Sequence, residues 1–245
     1  MEVVYEDNHI IVVNKAAGEI VQGDKTGDKP LCEIVKEYLK DKYSKPGNVF
    51  CGVIHRLDRP VCGLVVFAKT GKALARMNRI FQERKVEKIY WAVSRNIPPK
   101  PSGTLTDYLV SKEKNNKTYV SHSPKEGYQK AVLDYKLLSK TGYYCLMEVR
   151  LHTGRKHQIR AQLSAMGCPI RGDLKYGDRR SNPDGGISLQ SHRIRFEHPV
   201  SKQIIDLTAP IPNDNLWRAL NDEIVKSAQI KSQKMERRNP QVIHE

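Results

Sequence analysis

Apolar and polar residues alternate along this chain with two periods, and the changes between them outline its elements. Val3 to Glu6 and His9 to Lys15 are β-prone runs on either side of Asp7-Asn8, a turn-favouring pair, and they predict an opening hairpin. Residues 18–29, rich in Gly, Asp and Lys, read as a loop. From Leu31 to Tyr43 the period lengthens: Leu31, Ile34, Val35, Tyr38 and Leu39 recur at helical spacing, with charges opposite. Leu64 to Ala68 is continuously apolar, which predicts a strand covered on both faces. Thr70 is placed to cap a helix running to about Arg84, with Leu74, Met77, Ile80 and Phe81 inward.

Val86 to Asn96 predicts the next strand, and residues 112–117 an exposed hairpin tip. Tyr128 to Ser139 and Tyr143 to His152 predict an antiparallel pair turning at Lys140-Thr141-Gly142. In its second member Cys145, Met147, Val149 and Leu151 alternate with Tyr144, Leu146, Glu148 and Arg150. Thr153 is expected to cap a helix to about Met166, with Gly167 just past its end. Arg193 to Glu197 and Gln203 to Thr208 predict a last strand pair; residues 213–235 read as helix and the polar tail from about Met235 as frayed. Strands outnumber helices and pair mainly through hairpins. The expected class is therefore α+β, with a mixed, mostly antiparallel central sheet and flanking helices.

Charge changes this picture from fold to partner. The chain carries 42 Lys+Arg against 27 Asp+Glu, a formal +15, and a surplus of that size suits a polyanion. An anionic membrane is the competitor, but no basic amphipathic helix with a bulky aromatic face is present, so nucleic acid leads. The longest apolar runs span about five residues, far short of the ~20 that cross a bilayer, and the N-terminus has no leader pattern. Five scattered cysteines without a C-x-x-C pair suit a reducing cytoplasm and argue against a disulfide frame or thiolate zinc site. Phosphate-loop, dinucleotide and H-E-x-x-H patterns are absent, as is an acidic two-metal cluster, so no cofactor and no metal are expected.

Three stretches carry candidate chemistry. In HRLDRPVCGLVVFAKT, residues 55–70, Asp58 lies between Arg56 and Arg59. If residues 54–58 are extended, Ile54, Arg56 and Asp58 share one side and His55, Leu57 and Arg59 the other. Pro60 ends the strand, placing Asp58 at a chain reversal at the sheet's mouth, with the two arginines expected to lower its pKa. Both an ion pair and a reactive carboxylate fit. In LHTGRKHQIRAQLSAMG, residues 151–167, Arg155 and Lys156 fall in the expected first helical turn, with Arg160 one turn on and Ile159, Leu163 and Met166 inward. Cations at a helix start fit either an anion site or a solvated basic face. In EKIYWAVS, residues 87–94, Lys88, Tyr90 and Ala92 point one way and Ile89, Trp91 and Val93 the other. Tyr90 is either a base-stacking ring or a rim tyrosine.

In order, HRLD (55–58) with Gly63-Leu64, EKIYWAV (87–93) and TGRKHQIR (153–160) resemble the three signature motifs of the RluA family of pseudouridine synthases. The lead-in VYEDNHIIVVNKAAG and GDLKYG (172–177) fit as well, and the resemblance covers roughly residues 1–215. It implies a pseudouridine synthase fold with an active-site cleft, converting uridines of rRNA or tRNA to pseudouridine without cofactor or metal. By that similarity Asp58 is the catalytic carboxylate and Arg155 the partner that holds it. Tyr90 stacks on the target base and helps remove its C5 proton, and Ile159 with Leu57 forms an apolar clamp. Arg56 is similar to an arginine thought to replace the flipped nucleotide in the helix, while Arg59, Lys88, Lys156 and Arg160 are expected to contact RNA.

Two departures stand out: Val61-Cys62 replaces the common Thr-Ser, and Ala161-Gln162 a common Val-His pair. The family's frequent N-terminal S4-type domain is expected to be missing. The expected layout is a catalytic domain over 1–221 and a polar extension over 222–245, in a monomer with no membrane contact. The rival reading is a non-catalytic RNA-binding or ribosome-assembly factor on the same scaffold; the joint presence of Asp58, Tyr90 and Arg155 speaks against it.

Overall fold

The computed structural model describes residues 1–238, arranged around one sheet of eleven strands. Strands β1 (Glu2–Glu6) and β2 (Ile10–Lys15) form the opening hairpin. Asp7 fixes its turn: one carboxylate oxygen accepts from the backbone N–H of His9 at 2.7 Å and of Ile10 at 2.8 Å. Helix α1 (Leu31–Lys42) buries Leu31, Val35 and Leu39, the stripe its spacing predicts. Strand β3 (Gly52–Val53) is brief and pairs with β4 (Cys62–Ala68), whose apolar run is buried throughout from Gly63. Helix α2 (Gly71–Gln82) is capped as expected, Thr70 Oγ1 accepting from Ala73 N at 3.1 Å.

Strand β5 (Glu87–Ser94) precedes the hairpin of β6 (Ser102–Lys112) and β7 (Lys117–Ser121), joined by a 3₁₀ turn at 113–115. Then come β8 (Gln129–Thr141), β9 (Tyr144–Leu151), α3 (Gln158–Ala165), β10 (Leu189–Glu197), β11 (Ile204–Thr208) and α4 (Asn215–Arg238). The strand order is β1-β2-β4-β10-β5-β9-β8-β6-β7, with β11 on β10 and β3 on β4. Among the described residues every strand pairing is antiparallel except β4–β10. This is the mixed, mostly antiparallel α+β sheet the pattern predicts.

The period of two decides which layer each strand residue joins. Ile11, Val13, Val65 and Phe67 pack with α1 and with Leu163 of α3, whereas Ile10, Val12, Leu64 and Val66 pack with Met77 of α2. Ile89, Trp91 and Val93 meet Trp217 and Leu220 of α4, which also cover Leu146. That is why β9 is apolar on both sides at its middle. The helix α4 runs to Arg238, so the division drawn between 221 and 222 falls inside it. The tail expected to fray from about Met235 is helical as far as Arg238, and its remainder, 239–245, lies outside the described residues.

Several elements differ from expectation, among them the short β3. Strand β6 goes unannounced because Pro98, Pro101 and Gly103 crowd its entry. Helix α3 starts five residues after Thr153, at Gln158, because Thr153 serves β8 instead. Its Oγ1 accepts from Val132 N at 2.8 Å and donates to Gln158 Oε1 at 2.8 Å. Arg155 and Lys156 therefore precede the helix, and His157, at φ 52°, is its N-terminal boundary.

The lone parallel junction depends on Gly63. Gln190 and Ser191 of β10 pair with Cys62 and Gly63, and Gly63 sits at φ 108°. A Cβ there would lie 2.4 Å from the carbonyl oxygen and 2.6 Å from the nitrogen of Ser191, which is backbone and cannot swing aside. Gly63→Ala combines left-handed strain with a backbone clash, so urea unfolding should show a loss of about 3–5 kcal/mol. A loss below about 1 kcal/mol would mean the junction is dispensable.

Candidate active site

Where β10 leaves β4 the sheet opens. Beyond Ser191, β10 pairs with β11 instead, and residues 54–58 fill the gap as irregular chain rather than the extended strand expected. His55 substitutes for the missing ladder partner: its Nε2 accepts from Val66 N at 3.1 Å, and its ring stacks on Phe81 with centroids 5.1 Å apart. Burial pulls the His55 imidazole down to about 3, keeping it a neutral acceptor.

The resulting cleft has a volume of about 1590 Å³. Small-molecule sites occupy roughly 300–1,000 Å³, so this one suits a polymer segment. Arg56, Leu57, Asp58, Arg59, Lys88, Tyr90, Arg155, Lys156, Ile159 and Arg160 all line it, so folding gathers the whole expected set. Arg84, Lys85, Arg150, Lys175 and Arg195 join them against the acids Asp24, Asp58, Glu87 and Glu197, leaving the walls basic.

Asp58 opens a turn whose carbonyls are all engaged. Val61 N donates to Asp58 O at 3.0 Å, Gly18 N to Arg59 O at 2.9 Å and Ile187 N to Pro60 O at 3.0 Å. Lys15 completes the set, its Nζ donating to Arg59 O at 3.0 Å, Val61 O at 2.6 Å and Ala16 O at 2.9 Å. Lys15 is 1% exposed, and burial pulls its ammonium down to about 8. All three of its protons are spent on backbone oxygens, so the lysine works as a rivet under the loop. The cue for it in the sequence is a lysine ending the buried strand IIVVNK, which the motif reading passes over.

The partners of Asp58 correct the sequence reading. Arg160, in the first turn of α3, donates from Nη1 to Asp58 Oδ2 at 3.1 Å. Its other edge grips Asp173 as a fork, Nε to Oδ2 at 2.7 Å and Nη2 to Oδ1 at 2.9 Å. Arg155, expected to hold the aspartate, is exposed and donates from Nε to Lys130 O at 3.2 Å; the late start of α3 carries it away. Arg59 also turns from Asp58 and donates to Asp28 at 2.6 Å, tying down the 24–28 loop. Arg56 is exposed on the cleft. Asp173, in the GDLKYG stretch, is the residue missed: the stretch fits the family, yet nothing in it announces a buried ion pair.

His157 Nε2 lies 3.6 Å from the same Oδ2 of Asp58. The other oxygen, Oδ1, makes no hydrogen bond to the protein among the described residues, and the side chain keeps 30% exposure. One carboxylate oxygen is thus held and the other is open to the cleft.

Beside Asp58 the basic lining is interrupted by an apolar patch. Leu57, Tyr90 and Ile159 are buried in one cluster, with edges on the cleft. Burial pushes the Tyr90 hydroxyl up to about 12, with the nearby Asp58 charge adding to the rise and Ser191 opposing it. Lys88, on the same side of β5 as Tyr90, is also held below the ordinary lysine range by burial; its Nζ is within 3.6 Å of where a Cβ on Gly154 would stand. Among the described residues no cluster of three or more His, Cys, Asp or Glu is placed to hold a metal. No helix among them is long and apolar enough to cross a membrane.

Comparison with known proteins bears on this geometry. The family model described as RNA pseudouridylate synthase matches residues 9–165, more than half of the chain. A tRNA pseudouridine synthase C of Vibrio parahaemolyticus is 33% identical over 250 residues, covering 92% of this chain and 98% of the relative. A ribosomal large subunit pseudouridine synthase D of the same organism is 30% identical, covering 87% of this chain and 68% of the relative. Among solved structures, human RNA Pseudouridylate Synthase Domain Containing 4 superposes with a TM-score of 0.74 at 22% identity, over 91% of this chain and 92% of that one. That last likeness is one of fold.

Proposed function

Because this chain belongs to the RNA pseudouridylate synthase family, of the RluA type, we propose that it isomerises selected uridines of tRNA or rRNA, with Oδ1 of Asp58 as the reacting atom. The observation that carries this reading is the division of labour on one side chain: Arg160 holds Oδ2, and Oδ1 faces the cleft unbonded. The reaction breaks N1–C1′, turns the uracil and joins C5 to C1′; C5 loses a proton and N1 gains one. No redox step and no hydrolysis occur. A positioned carboxylate suffices, whether it adds to C6, attacks C1′ or takes a ribose proton.

A uracil stacked in a helix cannot reach Oδ1, so the nucleotide must turn out at a cost of a few kcal/mol. Leu57, Tyr90 and Ile159 offer walls for the everted base, and exposed Arg56 is free to enter the space it leaves. A hydroxyl near 12 stays protonated at neutral pH. Tyr90 therefore acts as stacking surface and hydrogen-bond donor, and is ill-matched to the base role at C5 that the family resemblance suggests. Exposed Lys156 and Arg155 flank the cleft as phosphate contacts, and the +15 charge adds sequence-blind affinity. The named relatives motivate offering both RNA classes, and the five free thiols suit the cytoplasm, where both are found.

Purified protein given tRNA or rRNA labelled with tritium at uridine C5 should release tritium from at least one of them. No release from either, or from total cellular RNA, would leave the non-catalytic RNA-binding or assembly factor as the better reading.

A further inference from the structure

Two groups face Oδ2 of Asp58, and Arg160 accounts for only one of them. The other is His157, buried at the head of α3. Its proton can be placed. Thr118 N donates to the Tyr176 hydroxyl oxygen at 2.8 Å, and that oxygen lies 2.8 Å from His157 Nδ1. With Thr118 N donating in, the arrangement that fits is a phenolic proton directed to Nδ1, leaving Nδ1 the acceptor. Burial pulls the imidazole down to about 4, so near neutral pH it carries a single ring proton, which falls on Nε2. The other face of the ring agrees: a bare nitrogen lone pair on Nε2 would repel the Asp58 carboxylate, whereas N–H attracts it.

We propose that His157, as its Nε2–H tautomer, is a positioning residue for Asp58, with Tyr176 selecting the tautomer and Thr118 linking both to the β6–β7 hairpin. It takes Asp58 as the reactive carboxylate, as above. The 3.6 Å separation is beyond hydrogen-bond range, and such contacts commonly tighten when substrate fills a site. The hairpin is anchored to the same spot a second time, because Thr118 Oγ1 donates to Lys156 O at 3.0 Å. Arg160 stacks its guanidinium 4.9 Å from the centre of the Tyr176 ring, so both holders of Oδ2 share one aromatic support.

His157 also sits at φ 52°, and a purely local role would be to start α3 in that left-handed conformation. Two substitutions separate the roles. Asn tolerates φ above zero best but its amide ends where Nδ1 stood; Gln is less suited to that backbone, yet its amide nitrogen reaches the Nε2 position. Positioning predicts that His157→Gln keeps kcat within about tenfold of the parent, while His157→Asn loses about a hundredfold at unchanged KM for RNA. The reverse order would overturn the proposal. Should neither variant fold, nitrogen-15 chemical shifts of the His157 ring in the unaltered protein decide: protonated Nε2 supports it, protonated Nδ1 overturns it. That spectrum does not depend on turnover, so an inactive parent protein would count against Asp58 chemistry without touching the assignment of His157.

Discussion

Asp58→Asn should remove turnover by at least about ten-thousand-fold while leaving affinity for RNA nearly unchanged. The substitution conserves shape, and Arg160 dictates how the new amide sits. Arg160 Nη1 only donates, so the amide oxygen takes the place of Oδ2 and the NH₂ group occupies the position of Oδ1. The lone pair proposed to react is thereby replaced by a donor, and the negative charge is lost with it. Binding should tighten slightly if it changes, since the variant removes one acid from basic walls. Single-turnover tritium release paired with filter binding measures both quantities. Turnover within about tenfold of the parent would remove Asp58 from the chemistry.

Arg160→Met should be nearly as damaging and should also unsettle the fold. Arg160 and Asp173 keep only 6% and 1% side-chain exposure, so removing the guanidinium strands a buried carboxylate, at a cost of about 3–5 kcal/mol in urea unfolding. Asp58 loses its holder at the same time, and a drift of about 1 Å is enough for a hundredfold fall in rate. Arg160→Lys should fail as well, because one ammonium cannot make a two-pronged contact with Asp173 and a third bond to Asp58. Pairing Arg160→Met with Asp173→Leu should return part of the stability and none of the activity. Arg155→Ala, by contrast, should stay within about 0.5 kcal/mol of the parent, as an exposed arginine bonded to one carbonyl. If Arg155→Ala proves the more damaging to rate on bound RNA, the assignment of Arg160 is wrong.

The contrast between Arg155 and Arg160 shows where the sequence stops being readable. Both lie in one basic cluster, and the choice between them depends on where α3 begins. Thr153 has the residue type of a cap, but its hydroxyl is taken by Val132, 21 positions earlier on β8, and by Gln158. Arg160 is then oriented by Asp173, 13 positions later. Neither partner lies within the window that local patterns describe. The same holds for Lys15, two of whose three acceptors stand 44 and 46 positions along the chain. What reads plainly is what depends on near neighbours: the β-prone run of β2, the two-residue period of β9, the apolar run of β4 and the Thr70 cap of α2. The cleft's membership was also readable, since those motifs mark where the chain approaches the gap, though not which side chains clasp across it.

The central place of β10 has a consequence for biosynthesis. Strands β1 to β4 carry Asp58 on one half-sheet, and β5 to β9 carry Tyr90 and lead into Arg160 on the other. Among the described residues, the sheet pairing between them runs through residues 189–195 of β10. Until β10 has been made, the acid and its aromatic wall are therefore carried by strands that no sheet pairing joins. The strand order thus brings the two halves of the cleft together in one sheet only once β10 is in place.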